Sequence, residues 1–564
     1  MTAWIRSQHL AWFGRAGTAY CYHNTFGYLL EMSPDLKLLI DFFAEQRADE
    51  DAVEQFRGQW SRDQIGQFIG VFVQQRVLVQ PLTDELAELA AMVPIKGPWI
   101  LAARADNGRI TAVTSRGFGH EAYAQPQLLQ LDDWHSELWR RIDGERNIKE
   151  HAAVLSEAYD GDDAEDLQRA IVAVAAWTHS DRQLTRTLPG PRSTMARLPP
   201  YATSTMPFAP LGESAARDAG ASLDLTAYHQ HHISDAEAQF EEAETTLSHL
   251  FSDPHPALGD RSFGQRFAEI VVDRGWVTPQ RHVVLEVGGG TGRFAEAAAQ
   301  QMKLTTPPLQ YTIVELSPVL HQAQAARLAH LADCVATQIG TAEKLDFGNE
   351  SVDFVVSNEV IADLRVGMVT RASLNTLRPD GDTDAEGLDI ALQYGLTVAG
   401  APEPIPVQVG ATRFVEELAR VLRPGGTAVL TEFGGENQFP LESTHLDHAE
   451  WSIHFGHLMQ VARHLGLQAS LTGLPHWIGL RPDVWVLASN RTQFRNLRFL
   501  ARTVGCDLRK RALTPEQLAV ALGGRLRPDR LEGLQFRPAG ERVMGLVPDE
   551  FKVLVLTKPA AEKQ

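Results

Sequence analysis

Cysteine is almost missing: Cys21, Cys334 and Cys506 are the only three in 564 residues, each far from the others. That excludes a disulfide framework, a thiolate zinc site and radical chemistry on a Cys-held iron–sulfur cluster. Long apolar runs are missing too. No stretch approaches the roughly 20 residues a membrane span needs, and the first residues lack the basic, apolar and cleavage regions of a secretory signal. The expectation is a cytoplasmic protein without a membrane partner. Positive charge is in deficit, with 52 Lys and Arg against 71 Asp and Glu and a formal net charge of −19. Phosphate recognition runs on Lys and Arg, so no nucleic-acid partner is expected. A local exception is 491–530, with ten basic residues against three acids. There Arg491, Arg495, Arg498 and Arg502 share one helix face, either plainly solvated or anion-binding.

A chain of this length suggests three to four domains at ~150 residues each. Residues 1–81 read as a first small module. Trp12-Phe13 and Tyr20-Cys-Tyr22 flank Gly14 and Gly17 as a hairpin, a helix follows Ser33-Pro34, and Ser61 with Gln64 makes a capping box before a second helix. Residues 95–185 repeat the order, with Trp99-Ile-Leu101 and Ile110-Thr-Ala-Val113 around Asp106-Asn-Gly108, then helices near 132–139, 148–155 and 163–177. Strand pair followed by short helices is a winged-helix-like pattern. Residues 186–221, dense in Pro and Gly, read as an irregular linker, and 222–564 as the main domain.

The segment Leu138-Trp-Arg-Arg-Ile-Asp-Gly-Glu-Arg-Asn-Ile-Lys-Glu150 resembles the PqqD-type peptide-recognition fold, and Tyr22-His-Asn-Thr-Phe-Gly27 gives the first module a similar character. The resemblance implies that a module grips the leader of a ribosomally made precursor peptide by strand addition and a helix groove. The alternative is a scaffold that packs on the catalytic domain or mediates a homodimer.

The decisive run is His282-Val-Val-Leu-Glu-Val-Gly-Gly-Gly-Thr-Gly-Arg-Phe294. It reads as a buried strand, a glycine-rich turn and an Ala-rich helix. Gly288, Gly290 and Gly292 let the backbone turn and approach a ligand, and the helix start offers N–H groups. The spacing is not the G-x-G-x-x-G of dinucleotide binders, because Glu286 precedes G-G-G-T-G. This form resembles the first motif of class I S-adenosylmethionine methyltransferases, which implies S-adenosyl-L-methionine as cofactor and Glu286, Gly288, Gly289, Gly290 and Gly292 as its cradle. Tyr311-Thr-Ile-Val-Glu315 ends in an acid 29 residues after Glu286, placed to accept the ribose hydroxyls. Val352-Asp-Phe-Val-Val-Ser357, then Phe414 to Leu422, Arg-Pro-Gly-Gly426 and Thr427-Ala-Val-Leu-Thr-Glu432 continue the alternation. The fold expected is α/β, a doubly wound, mostly parallel Rossmann-like sheet preceded by the two α+β modules.

Ile313-Val-Glu-Leu-Ser-Pro-Val-Leu320, Ser357-Asn-Glu-Val-Ile-Ala-Asp-Leu-Arg-Val366 and Val547-Pro-Asp-Glu-Phe-Lys-Val-Leu-Val-Leu556 resemble the MidA family of methyltransferases over about 224–558. Glu432-Phe-Gly434 stands where that family has Asp-Tyr-Gly, and Glu450 to His454 resembles its Asp-to-His segment. The chain departs at Ala362, where the family's Asp would fall one residue before Asp363, and at Arg365, which replaces a Pro. The resemblance implies further cofactor contacts from Leu316 and, in place of the usual adenine-contacting Asp, from Ala342 and Glu343. Known relatives include an enzyme that methylates a protein arginine.

Asn358 and Glu359 end a strand at the sheet's carboxyl edge, where doubly wound folds bind ligands, and they head the catalytic candidates, Asn358 also as a cofactor contact. Asp363, Glu432 and His454 follow. Thr245, His249 and His255, on a polar helix and turn before the catalytic strand, are substrate-binding candidates; Thr245, Ser248 and His249 would face the methyl donor, unless the segment is a plain amphipathic helix. Residues 367–408, with Asp380-Gly-Asp-Thr-Asp384 and Pro402-Glu-Pro-Ile-Pro406, read as a long loop-like insertion that shapes substrate access. Two histidine-rich windows, 229–255 and 445–457, lack an arranged acid, so no metal is expected. The function expected is methylation of a peptide. The alternatives are a protein arginine or small-molecule methyltransferase and a non-catalytic adenosylmethionine-binding assembly factor.

Overall fold

The computed structural model describes residues 3–7, 10–15, 18–23, 28–75, 77–81, 89–97, 100–114, 126–179, 184–188, 190–194, 209–210, 233, 236, 246–445 and 448–560. They form two compact units. The first comprises Met1–Ala221, Thr492–Cys506 and Leu522–Leu534, and the second Ser222–Arg491, Asp507–Ala521 and Gln535–Gln564. No helix among the described residues is long and apolar enough to cross a membrane.

The first unit has two separate cores. In one, the strands Leu10–Arg15, Thr18–His23 and Tyr28–Met32 pair antiparallel in sequence, and Leu39, Ile40, Phe43, Ile65, Ile69 and Phe72 are buried together. Ser61 and Gln64 close the expected capping box, the Gln64 amide oxygen accepting from Ser61 N at 2.9 Å. The other core gathers Trp134, Leu138, Trp139, Ile148, Leu155, Val174 and Trp177. Its sheet runs Gln127–Gln130, Ile110–Thr114, Leu101–Arg104 and, from far along the chain, Leu531–Glu532. Glu532 also accepts from Lys96 at 2.7 Å and from the Trp139 indole at 3.2 Å.

The expected division at 222–564 is therefore interrupted. Residues 492–506 and 522–534 belong to the first unit, because a two-residue strand there completes a sheet edge that local sequence leaves open. On helix Arg491–Thr503, Arg495 and Arg498 are half-buried and Arg502 is exposed, so these three are only partly open to solvent. The expected irregular stretch from 186 begins in order as well, since Thr185–Leu188 pairs with Val93–Lys96 and Ala209–Pro210 pairs with Leu10–Arg15.

The second unit is built on β1 (Val283–Val287), β2 (Gln310–Glu315), β3 (Val335–Ile339), β4 (Val352–Asn358), β5 (Leu422–Gly435), β6 (Gln468–Gly473) and β7 (Phe551–Thr557). Their order is β3-β2-β1-β4-β5-β7-β6. Neighbours are parallel through β5, and β7 alone runs antiparallel to its neighbours β5 and β6. This is the mostly parallel, doubly wound sheet expected, with β3 and β6 added. The strand order reverses between β1 and β4, which makes the carboxyl ends of those two strands the ligand crevice. The helices that matter are α1 (Leu247–Leu250), α2 (Arg293–Thr305), α3 (Pro318–Arg327), α4 (Ala385–Gln393), α5 (Val409–Val421) and α6 (Phe455–His464). Helix α5 carries Val409, Phe414, Val415, Leu418 and Val421 on its buried face, and they join Leu285, Val355, Leu430 and Leu554 of the sheet in one core.

The insertion at 367–408 is a folded piece rather than a loop. Strands Gly367–Val369 and Ile405–Val407 pair antiparallel around α4, and Val369, Leu388, Ile390, Ile405 and Val407 are buried in the same core as the sheet. Its apolar positions could not be covered by an exposed loop, and burying each stabilises the fold by about 1.5–3 kcal/mol.

Candidate active site

The turn after β1 takes its shape from glycine. Gly288, Gly290 and Gly292 have φ of +76°, +51° and +81°, a region side chains other than Gly enter at a cost of about 1–2 kcal/mol. Space matters at two positions: a Cβ on Gly288 would lie 2.5 Å from Val360, and one on Gly289 would lie 2.6 Å from Ile313. Gly290 differs, since a Cβ there would meet nothing within 4 Å. The loop thus presents bare backbone to open space at the switch point, as a ligand that must be approached closely requires.

Two carboxyls line up beneath it on adjacent strands. Glu286 of β1 is buried and accepts a 2.7 Å hydrogen bond from the Tyr311 hydroxyl of β2. Burial pushes its carboxyl up to about 8, the Tyr311 bond opposing and the nearby Glu315 charge adding to the rise. Glu315, the last residue of β2, accepts from Ser317 N and from the Gln324 amide, both at 3.0 Å. Burial raises it to about 7 against those donors. Buried acids of this kind are poised for a partner carrying positive charge and hydroxyl donors. A ligand with an ammonium, a sulfonium and a ribose fits that donor set and the bare loop. Leu316 is half-buried beside Glu315, and Ala342 is buried after β3. Glu343 lies against the start of α5: its Oε1 would lie 2.5 Å from a Cβ on Gly410. Partial burial raises its carboxyl, with Arg365 and Arg413 opposing and Glu386 adding.

At the end of β4 the expected catalytic residues are tied into a small network. The Asn358 side chain donates from Nδ2 to Ser248 Oγ at 2.8 Å and accepts from Thr431 Oγ1 at 2.8 Å. Glu359 has φ +56°, and its carboxylate accepts from Leu247 N at 3.3 Å and from Ser248 N and Oγ at 3.2 Å. Its first role is therefore to cap α1, placing that short helix against the end of β4. Glu432 is fully enclosed in β5, accepting from Phe433 N at 2.9 Å and Ala362 N at 3.2 Å. Burial, the Glu359 charge and, more weakly, Glu450 and Asp363 drive its carboxyl well above the usual range despite the Phe433 bond. Asp363 is half-buried in the turn Ile361–Asp363.

Three other expectations change. His454 does not reach for substrate: its Nδ1 accepts from His457 N at 3.2 Å, capping α6, and its ring stacks on that of His457 with centroids 3.7 Å apart. Burial and the neighbouring His457 hold it down to about 4, so it is neutral. His255 is likewise a cap, its Nδ1 accepting from Ala257 N at 3.0 Å, and burial holds it to about 4. His249 lies 2.9 Å from the guanidinium of Arg511, a donor that makes the His249 Nε2 an acceptor. Thr245, like His229, His231 and His232, lies outside the described residues. Ser248, named from the sequence, is tied by the fold to Glu359 and Asn358; sequence reasoning missed Tyr311, Gln324, Thr431 and Arg511, which act through contacts across the fold. Only Gln324 carried a local signal, as a polar residue on the inward face of α3.

Residues 284–381 match the profile of a family described as a methyltransferase domain. Solved structures similar to the chain include the YcgJ protein from Bacillus subtilis, with 12% identity over 52% of this chain and 98% of that one and a TM-score of 0.25. Another is a geranyl diphosphate methyltransferase in complex with GPP and sinefungin, with 13% identity, 52% and 76% coverage and a TM-score of 0.25. A third is the cyclase SpnF, with 18% identity, 53% and 81% coverage and a TM-score of 0.25. No curated protein matches by sequence. The chain is an enzyme with a methyltransferase domain.

Proposed function

We propose that this methyltransferase acts on a peptide, a ribosomally made precursor whose leader is held by the first unit while a core residue is methylated in the second. The observation that carries it is the second core of the first unit. Its edge strand Gln127–Gln130 pairs, among the described residues, only with Ile110–Thr114. A groove of about 680 Å³ on the helices of the same core is lined by His135, Gln168, Arg169, Val172, Ala176 and Trp177. An open strand edge and an apolar helix groove are the two surfaces an extended peptide uses, and the PqqD-like run at 138–150 lies in this core. Holding the leader would raise the effective concentration of a weakly bound core residue.

In the second unit, Glu286, the bare loop and Glu315 would hold the donor, which supplies an electrophilic methyl on a sulfonium. Asn358 and α1 border the place where the acceptor would approach, and positioning there supplies most of the rate. Glu359 and Asp363 are the carboxylates at the crevice edge that would orient or deprotonate a nitrogen or oxygen nucleophile, whereas Glu432 is enclosed in β5.

A MidA-like protein arginine or small-molecule methyltransferase with a scaffolding first unit is the second reading. It is favoured by the way the chain returns to the first unit at 492–506 and 522–534, unlike a simply appended recognition module. Calorimetric titration of the full chain separates the two. Adenosylhomocysteine is titrated first, then short peptides encoded beside the gene, into the native protein and into Arg169→Glu and Val172→Asp variants. Peptide binding lost in the variants, with nucleotide binding kept, supports the leader-guided reading. Nucleotide binding without any peptide binding moves the scaffold reading ahead.

A further inference from the structure

Gln324 lies midway along α3 and is fully buried. Its Nε2 donates to the Gly290 carbonyl at 2.8 Å and to Glu315 Oε2 at 3.0 Å. One side chain thereby joins the glycine-rich loop of β1 to the acid that ends β2. Both partners are acceptors, which fixes the amide with its nitrogen towards them. The amide oxygen is buried and finds no hydrogen-bond partner among the described residues, an arrangement that costs stability. The side chain is therefore held in place for its two N–H groups. Room for it comes from Gly289, where a Cβ would stand 3.0 Å from the same Nε2. One turn on, Arg327 donates from Nε to the Thr291 carbonyl at 2.8 Å, so α3 grips two successive loop carbonyls from behind.

We infer that Gln324 is a positioning residue for the methyl donor, setting the Glu315 carboxylate against the Gly290 loop in the geometry that receives the ribose hydroxyls. This rests on Glu315 as the ribose-facing acid of the proposed donor site. The amide N–H on Oε2 and the Ser317 N–H on Oε1 leave the remaining lone pairs of Glu315 directed by their donors rather than by chance rotation about its last torsion. A second carboxyl, or an apolar group, at 324 would remove that constraint while leaving the loop glycines intact.

The test is a cycle between side chain and ligand. Adenosylhomocysteine and its 2′,3′-dideoxyribose analogue are titrated into the native chain, Gln324→Leu and Gln324→Glu, with thermal unfolding of each to establish that the variants are folded. Expected is about a tenfold loss of adenosylhomocysteine affinity in both variants, the loss of one hydrogen bond to a charged group, with little change for the dideoxy analogue. Equal losses for both ligands would mean that Gln324 only braces the loop, and unchanged affinity for both would remove it from the site; either overturns the inference. Should the Gln324→Leu variant fail to fold, the near-isosteric Gln324→Glu variant alone decides on the same ligand difference. A native chain that binds neither ligand overturns the underlying donor-site reading instead, an outcome distinct from these.

Discussion

Glu286 ties the stability of the second unit to pH. Its folded carboxyl sits near 8 because burial disfavours the charge, whereas an unfolded Glu titrates near ~4.3. The folded state thus holds the proton more tightly, and this contribution to stability is full below the unfolded value and is lost as pH rises towards 8. Replacing Glu286 by Gln keeps the shape and an acceptor for Tyr311 but has no proton to lose. The variant should unfold several degrees above the native chain at pH 8 and close to it at pH 5, at about 2–4 °C per kcal/mol, while adenosylhomocysteine affinity falls tenfold or more; melting curves at both pH values and one titration check this. Gly290 offers a cleaner separation. With φ +51° and open space around its missing Cβ, Gly290→Ala should cost only about 1 kcal/mol of stability yet block donor binding. Gly288→Ala, which drives a methyl into Val360, should destabilise more. Equal melting losses in the two variants would contradict the assignment of open space to the ligand. The role of Glu286 could be expected from its place before the glycines; that of Tyr311 could not, because register across parallel strands brings the hydroxyl to it.

At the scale of elements, side chains chosen as catalytic candidates turn out to end helices. His454 caps α6 while stacked on His457, and its folded value near 4 lies below the ~6.5 of an unfolded His. The unfolded chain then binds the proton first, so stability falls as pH drops from about 6.5 towards 4. His454→Asn retains a capping acceptor and should flatten part of that acid limb, read as a smaller loss of melting temperature between pH 7 and pH 5 than in the native chain. Glu359, Ser248 and Asn358 bind α1 to the end of β4, so Glu359→Gln and Ser248→Ala should act non-additively on adenosylhomocysteine affinity, with a coupling of about 0.5–3 kcal/mol in a double-mutant cycle. Strict additivity would mean that α1 is held by something else. The acid at 359 and the His at 454 look catalytic in sequence for the reason that they look like caps in the fold: polar side chains at the ends of strands and helices serve both ends.

The whole molecule is organised by segments that lie far apart in sequence. Leu531–Glu532 completes the sheet edge beside Leu101–Arg104, and Glu532 meets Lys96 and Trp139. A fragment ending at 185 would lose all three contacts. It should therefore show faster proteolysis than the same region in the full chain, and Leu531→Pro, which removes a ladder donor, should lower the melting temperature of the intact protein by a measurable few degrees. Resistance of the fragment equal to that of the full chain would contradict this dependence.

The sequence by itself determined the parallel alternation of β1, β2, β4 and β5, the glycine turn and the two acids at 286 and 315, because strand periodicity, turn chemistry and charge at a strand end are local properties. Local patterns also marked the hairpins and the Ser61–Gln64 capping box of the first unit. Tertiary structure alone decided that β3, with its polar edge-strand composition, belongs to the sheet, that 367–408 folds into the main core, and that 492–506 and 522–534 return to the first unit. It alone also turned Glu359, His454 and His255 into caps and placed Gln324 beneath the loop. Those outcomes depend on which surfaces meet, and burial, register and hydrogen-bond partners exist only once distant residues have been brought together.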